Sequence, residues 1–108
     1  MGKTFDNVYV GDIVYILHYG GVMSEAKIIR YDKDFNGTMI GIYTGDEKID
    51  FWIGVKDTSR YVSELHGTVY ASLEDVMEAI QEQVRITKKK LDFLLMSQVK
   101  VSTKLNKE

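Results

Sequence analysis

The chain of 108 residues contains neither cysteine nor proline. Without cysteine it can form no disulfide and no thiolate metal site. Small secreted domains often depend on disulfides, so this absence favours a reducing, cytoplasmic environment. Without proline, every backbone N–H is available to a sheet or to a helix.

Long hydrophobic runs are also absent. The sequence has no run of about 18 apolar residues, so we expect no membrane span and no membrane partner. The segment Met1–Asp6 has no apolar centre, so we expect no secretory signal there. Both observations favour a cytoplasmic protein.

Positive charge is scarce in most of the chain. Residues 1–84 carry seven Lys or Arg against fourteen Asp or Glu, whereas residues 85–108 carry seven against two. The acidic body argues against a nucleic-acid backbone as its ligand. The basic end can contact a phosphate chain, an acidic partner or the acidic body of a neighbouring copy, or can simply complement the helix dipole.

Residues 1–71 predict an antiparallel β module. Apolar and β-branched residues recur in short runs separated by tight turns, which is typical of a meander. The predicted strands are 8–19, 26–31, 38–44 and 49–55, and 61–70 gives one or two more that break near His66. The first of them is apolar on both faces and is predicted to be central. Lys56–Arg60 is polar and predicts a loop.

Two turns are marked by their residues. Gly20-Gly21 follows the first predicted strand, and Asn36-Gly37 follows the second. The Asn-Gly pair favours the positive φ angles of a tight hairpin. We therefore predict an α+β fold, with a small antiparallel sheet or SH3-like barrel of about five strands before one long C-terminal helix.

Residues 72–101 predict that helix, and residues 102–108 a flexible tail of the same single domain. Ser72 is a good N-cap, and Asp75 completes a variant of the capping box. The spacing of alternately four and three residues then forms a heptad seam in which Thr87 and Gln98 are polar. Its positions are Leu73, Met77, Ile80, Val84, Thr87, Leu91, Leu94 and Gln98.

The predicted helix is longer than the module that precedes it. The seam would extend roughly 39 Å, and a barrel of that size is only about 20–25 Å across. A second copy of the chain is the simplest partner for the excess, so we expect a homo-oligomer, a dimer or larger. The alternative is a helix that breaks near Lys88–Lys90 and folds back. The predicted oligomer seam comprises Met77, Ile80, Val84, Leu91, Leu94 and Leu95.

Aromatic residues are concentrated in the β module. The chain has seven tyrosines, four phenylalanines and one tryptophan. Each tyrosine hydroxyl needs water or a partner, so several tyrosines are expected to be half exposed. A binding face for a protein, a base or a nucleotide is therefore predicted, although the same residues can form a core covered on both sides. The predicted face comprises Trp52, Lys56, Arg60, Tyr61 and His66.

Enzyme constellations are sparse. His18 and His66 lack the spacing of metal ligands, so we predict no metal and no cofactor. His18 in a strand is most simply a packed histidine. Ser59, Glu64 and His66 can be imagined as nucleophile, orienter and base of a small hydrolase, but nothing in the sequence enforces that geometry. The prediction is therefore that the protein is not an enzyme.

Two short motifs resemble small accessory proteins encoded by phages and prophages of Gram-positive bacteria. They are Val10-Gly11-Asp12-Ile13-Val14-Tyr15, which opens a strand, and Val69-Tyr70-Ala71-Ser72-Leu73-Glu74, where a strand runs into a capped helix. The resemblance implies a non-catalytic protein that binds and modulates a host component. Counter-defence is one such role, either by blocking a host protein or by sequestering a small nucleotide signal. A nucleic-acid-binding module that uses the basic helix is the alternative expectation.

Overall fold

The computed structural model describes residues 3–107, and the chain divides into two compact units between Met77 and Glu78. The predicted fold class is confirmed: a six-stranded, nearly closed antiparallel barrel is followed by one long helix. The strands are β1 (Ile13–His18), β2 (Met23–Lys33), β3 (Gly37–Tyr43), β4 (Lys48–Gly54), β5 (Ser59–Val62) and β6 (Gly67–Tyr70). Two 3-10 turns, Phe5–Asn7 and Ser63–Leu65, and the helix α1 (Leu73–Asn106) complete the elements.

The strand order is β4-β3-β2-β1-β6-β5, and every neighbouring pair is antiparallel. The strand β1 is therefore paired on both sides, as its two apolar faces predicted. It begins at Ile13 rather than at Val8, because Tyr9 and Asp12 close a turn in which the Tyr9 N–H donates to the Asp12 carboxylate at 2.9 Å. The two edge strands, β4 and β5, are neighbours in sequence but not in the sheet.

The long strand β2 allows the sheet to curl. Its pairing with β3 shifts between Ile28 and Arg30, so Ile29 is an extra residue in the ladder. A bulge of this kind bends a strand and increases its twist. The curled sheet encloses a core of aliphatic side chains such as Ile16, Ile40 and Ile53.

The segment before β1 contributes to the barrel core. Phe5 is 1% exposed and contacts Phe51 edge-on, with ring centroids 6.0 Å apart. Asp6 accepts a hydrogen bond from the Thr38 hydroxyl at 3.1 Å, and Thr38 is fully buried. The buried hydroxyl is thus satisfied by a residue that lies far away in sequence.

The two predicted turns have different outcomes. Gly20 and Gly21 have φ of 103° and 98°, conformations that favour glycine. The positive φ predicted for Asn36-Gly37 is wrong, because Asp34 closes that turn by accepting both backbone N–H groups with Oδ1. Glycine is required at position 37 for a different reason, since a Cβ there would lie 2.1 Å from the Ile53 carbonyl oxygen.

Helix α1 begins as predicted and ends later. Ser72 Oγ accepts the Asp75 N–H at 3.3 Å and donates to the Asp75 carboxylate at 3.1 Å, so the predicted N-cap is confirmed. The helix continues past residue 101 to Asn106, and it shows no break at Lys88–Lys90. Thr103 lies inside it with its hydroxyl donating to the Val99 carbonyl. The predicted helix end at residue 101 is therefore wrong, since no Gly or Pro terminates the helix before Asn106.

No helical segment within residues 3–107 combines the length and the apolarity that crossing a bilayer requires.

Candidate partner-binding site

The open seam of the barrel lies between β4 and β5. Among residues 3–107, no backbone hydrogen bond joins these two edge strands. A cavity of about 200 Å³ lies there, lined by residues 50–52 of β4 and residues 60–64 of β5 and the second 3-10 turn. We call this cavity and its lining the seam cavity. Its two walls are strand edges whose outward backbone groups have no partner strand.

Trp52 is the largest side chain of the seam cavity. It alternates along β4 with Phe51 and Ile53, which point into the core and are buried. Trp52 therefore faces outwards, and it is 36% exposed. A Cβ on Gly37 would lie only 3.0 Å from its ring, so the indole rests on the start of β3. The indole is thus held in place and still accessible at one side.

Arg60 and Tyr61 form the opposite wall. Both lie in β5, where they pair with Val69 and Thr68 of β6 and are exposed. The loop predicted for Lys56–Arg60 is therefore too long, because β5 already begins at Ser59. Arg60 takes part in no ion pair among the described residues. Its guanidinium donors are thus available to a ligand.

The acidic residues at the seam cavity already have partners. The Asp50 carboxylate lies 3.7 Å from the Arg30 guanidinium, across the width of β3. Glu64 accepts a hydrogen bond from the Ser63 hydroxyl at 3.4 Å. The cavity therefore combines an aromatic wall, one unpaired cation and carboxylates that interact with neighbouring side chains.

Lys56 and His66, the other two predicted face residues, do not line the seam cavity. Lys56 is exposed in the β4–β5 loop. His66 ends the second 3-10 turn with φ of 48°, a left-handed conformation that is uncommon for a residue with a side chain. Its backbone carbonyl accepts the Tyr19 N–H at 2.6 Å. His66 therefore contributes through its backbone, which turns the chain between the second 3-10 turn and β6. Of the five predicted face residues, the structure brings three together: Trp52, Arg60 and Tyr61.

The hydrolase grouping has no supporting contact. Among the described residues, no side-chain hydrogen bond joins Ser59 or Glu64 to the ring of His66. No group of three His, Cys, Asp or Glu side chains within residues 3–107 is placed to hold a metal ion.

A histidine–hydroxyl pair occurs elsewhere, at a position that the sequence analysis treated as packing. His18 Nε2 lies 2.6 Å from Ser24 Oγ, and its Nδ1 lies 2.9 Å from the Leu65 carbonyl oxygen. Because a carbonyl can only accept, Nδ1 carries a proton and donates to it. Asp46, Glu47 and Glu64 line the same cavity. Carboxylates disfavour a developing oxyanion, so the pair is best explained as a polar cross-link between β1, β2 and the second 3-10 turn.

The predicted oligomer seam lies along one side of α1. Of its six residues, Met77, Val84, Leu91, Leu94 and Leu95 are exposed, and Ile80 is half-buried. The longer helix adds Val101 and Leu105, both exposed, in continuation of the heptad spacing. The sequence signal for these two positions was present, but the helix was predicted to end too early.

One further aromatic side chain escaped the sequence analysis. Phe35, in the turn before β3, is 99% exposed. It lies two residues before the glycine on which Trp52 rests. The Asn36-Gly37 signal predicted a turn beside Phe35, but it did not indicate whether the ring would be buried or exposed.

Comparison of the chain with protein-family models, with curated proteins and with solved structures found no match.

Proposed function

We propose that this chain is a non-enzymatic binding protein that captures an extended segment of a partner protein at the seam cavity. The observation that carries the proposal is that Trp52, Arg60 and Tyr61 surround a gap between two unpaired strand edges. Aromatic and arginine side chains are the residue types that dominate binding energy at protein interfaces.

An extended peptide suits the walls of the gap. Strand edges offer backbone N–H and C=O groups in the spacing that another strand needs, and several domains bind peptides by adding a strand in this way. Alternate residues of such a peptide would face the indole of Trp52 and the phenol of Tyr61. A carboxylate or a carbonyl of the peptide would meet the donors of Arg60.

A protein partner fits the surroundings better than a nucleotide does. The first unit carries seven Lys or Arg against twelve Asp or Glu, so its field repels polyphosphates. Of the roles that the phage-protein resemblance implies, blocking a host protein is therefore preferred to sequestering a nucleotide signal. Counter-defence by such a block remains part of the proposal.

The test uses immobilised chain and host lysate, followed by peptide arrays of the captured proteins. We expect the double variant Trp52→Ala/Tyr61→Ala to weaken capture of the partner at least about tenfold. Peptides that carry N-methyl groups on alternate residues should lose binding in at least one of the two alternations, because they cannot complete a ladder with a strand edge.

The matched control is Tyr19→Ala. Tyr19 is a 92% exposed aromatic in the β1–β2 turn, outside the seam cavity. Its removal should leave capture unchanged. Equal losses of capture in the control and in the double variant would show that exposed aromatic side chains bind non-specifically, and would refute the site.

Self-association through α1 is the second part of the proposed function. The exposed apolar seam of a long helix is stable in water only when another surface covers it. An oligomer would present several seam cavities at once and raise the apparent affinity for a multivalent partner. Sedimentation of the full chain at micromolar concentration tests this part, and a clean monomer would refute it.

Nucleic-acid binding by the basic part of α1 is the second candidate. At about 100° per residue, four lysines share an arc of roughly 60° with Ile86 and Phe93. These lysines are Lys89, Lys100, Lys104 and Lys107, all exposed. Labelled duplex and single-stranded oligonucleotides should then bind at low salt, with an affinity that falls steeply as salt is added. No binding at about 20 mM salt would eliminate this candidate.

A further inference from the structure

We infer that α1 pairs with α1 of a second copy in the antiparallel direction and in one register, with Thr87 of each helix facing Gln98 of the other. The inference rests on the proposed self-association and specifies its geometry. In this register the partner's Val101 faces Val84, and the partner's Leu94 faces Leu91.

The partner of the seam is a helix of another chain. A four-and-three spacing sustained over about four heptads is specific for packing against a second helix. Within residues 3–107, α1 is the only α-helix. Every apolar position of the seam from Val84 to Leu105 is exposed. A second copy supplies a matching seam, since its own apolar stripe has the same spacing.

The polar positions select the register. Thr87 and Gln98 are the two non-apolar residues of the seam, and each would be buried in the interface. A buried hydroxyl or amide without a partner costs about 1–3 kcal/mol. In the inferred register these two groups meet and can exchange hydrogen bonds, twice in each pair of helices. The antiparallel alignment of greatest overlap would instead place Thr87 against a leucine and Gln98 against an isoleucine.

The same register uses every seam position of the second unit. The pairing begins where Ile80 meets the partner's Leu105 and ends at the equivalent layer of the other copy. Leu73 and Met77, which belong to the first unit, stay outside it. The register that satisfies the polar residues thus also matches the length of the second unit.

Charge selects the direction. Glu74, Asp75, Glu78 and Glu82 are the charged residues of α1 before Arg85, and seven Lys or Arg follow within residues 85–107, with Asp92 as the sole acid. In the inferred register the acidic start of each helix lies alongside the basic end of the other. A parallel pair would place the run Lys88–Lys90 alongside its own copy. Arg85 would be level with the partner's Lys100, so single pairs do not decide the direction. The separation of acidic and basic residues along the helix favours the antiparallel direction as a whole, although each charge is exposed and screened by salt.

Disulfide cross-linking tests the register. The chain has no native cysteine, so an introduced thiol can form a disulfide only with another introduced thiol. Three samples are oxidised under equal conditions: Val84→Cys alone, Val101→Cys alone, and the two refolded together, with a tag on one chain for identification. Facing residues of a helix pair lie within the distance that a disulfide can bridge.

We expect the mixture to form the tagged–untagged disulfide at least about tenfold faster than either single variant forms its own disulfide. A rapid disulfide of Val84→Cys with itself would show a parallel oligomer and overturn the inference while leaving self-association intact. Sedimentation of the reduced samples as monomers would instead refute the self-association on which the inference rests.

A double-variant cycle gives a second readout that needs no oxidation. Thr87 and Gln98 are about 16 Å apart along one helix, too far to interact within a chain. We expect Thr87→Val and Gln98→Leu to change the dissociation constant non-additively, by a coupling on the order of tenfold. Strictly additive effects in an oligomer of unchanged size would contradict the facing of these residues.

Discussion

Apolar residues are buried in the barrel but exposed along the helix of the same chain. In β4, Phe51 and Ile53 alternate with residues that face outwards and are 6% and 1% exposed. In α1, Leu91 and Leu94 follow a heptad spacing and are 53% and 58% exposed. The first unit thus completes its core with its own residues, including Phe5 from the segment before β1. The second unit leaves its apolar seam exposed, and the proposed self-association would cover it.

The largest expected effect comes from substitutions in the helix, which should disrupt assembly without unfolding the barrel. Leu91→Ser/Leu94→Ser should raise the dissociation constant of the oligomer at least about 1000-fold, because each chain loses two leucines that the proposed interface would bury. Sedimentation and helical circular dichroism should report monomers with reduced helicity, while the β signal persists. Met96→Ser, an exposed methionine outside the seam, is the control and should leave assembly intact. An oligomer unchanged in the double variant would contradict the prediction that the apolar seam of α1 holds the oligomer together.

Phe5→Ala should destabilise the barrel. Removing a buried phenylalanine costs about 3–5 kcal/mol of unfolding free energy. Urea unfolding should show this loss in the β signal. Phe35→Ala, at a fully exposed phenylalanine, should change stability by less than about 0.5 kcal/mol. Equal losses in the two variants would mean that the segment before β1 does not close the core.

Asp6→Ala should reduce barrel stability by about 1–3 kcal/mol, since it leaves the buried Thr38 hydroxyl without its acceptor. Thr38→Val in the same chain should recover much of the loss, because no unsatisfied hydroxyl remains. Urea midpoints of the single variants and the double variant measure the coupling. Absence of any recovery would assign the loss to the Lys33 ion pair with Asp6 instead.

His66→Gly should stabilise the barrel by about 0.5–1 kcal/mol. His66 has φ of 48°, and a left-handed conformation of a residue with a side chain is strained. The gain is reduced by the extra entropy of glycine in the unfolded chain. Thermal unfolding measures the change. A clear loss of stability would show that the imidazole makes a contact that outweighs the backbone strain.

Tyr70→Phe should give the smallest effect, visible only at alkaline pH. Burial, and then the nearby Asp75 carboxylate, raise the pKa of Tyr70 above its ordinary value. The stabilisation is complete below about pH 10, the pKa of an unfolded tyrosine, and is lost as pH rises through the raised pKa. The variant should therefore lose less stability than the wild type between pH 9 and pH 11. Tyr19→Phe should behave like the wild type.

Local rules predicted the features whose causes are local. The Ser72 cap, the Gly20-Gly21 turn and the central position of β1 each follow from residues close together in sequence. The heptad spacing likewise identified the exposed seam. The helix end was missed because no Gly or Pro marks it, and the tail composition resembles a frayed end.

The site was only partly predictable because it depends on contacts between distant residues. Strand alternation placed Trp52 on the face opposite to Phe51 and Ile53, but it left open which of the two faces points away from the core. That Arg60 and Tyr61 lie across a gap from it depends on β5 pairing with β6 rather than with β4. The turn at Asn36-Gly37 was predicted but its backbone conformation was not, and Gly37 is required by the approach of Ile53 and Trp52 from another strand.

The position of Trp52 gives the protein an intrinsic optical reporter. It is the single tryptophan of the chain, and its indole is half covered at the wall of the seam cavity. A ligand entering between β4 and β5 would displace water from the ring and shift its emission towards the blue. Titrations of the proposed site therefore need no attached dye, and the signal comes from one known place in the molecule.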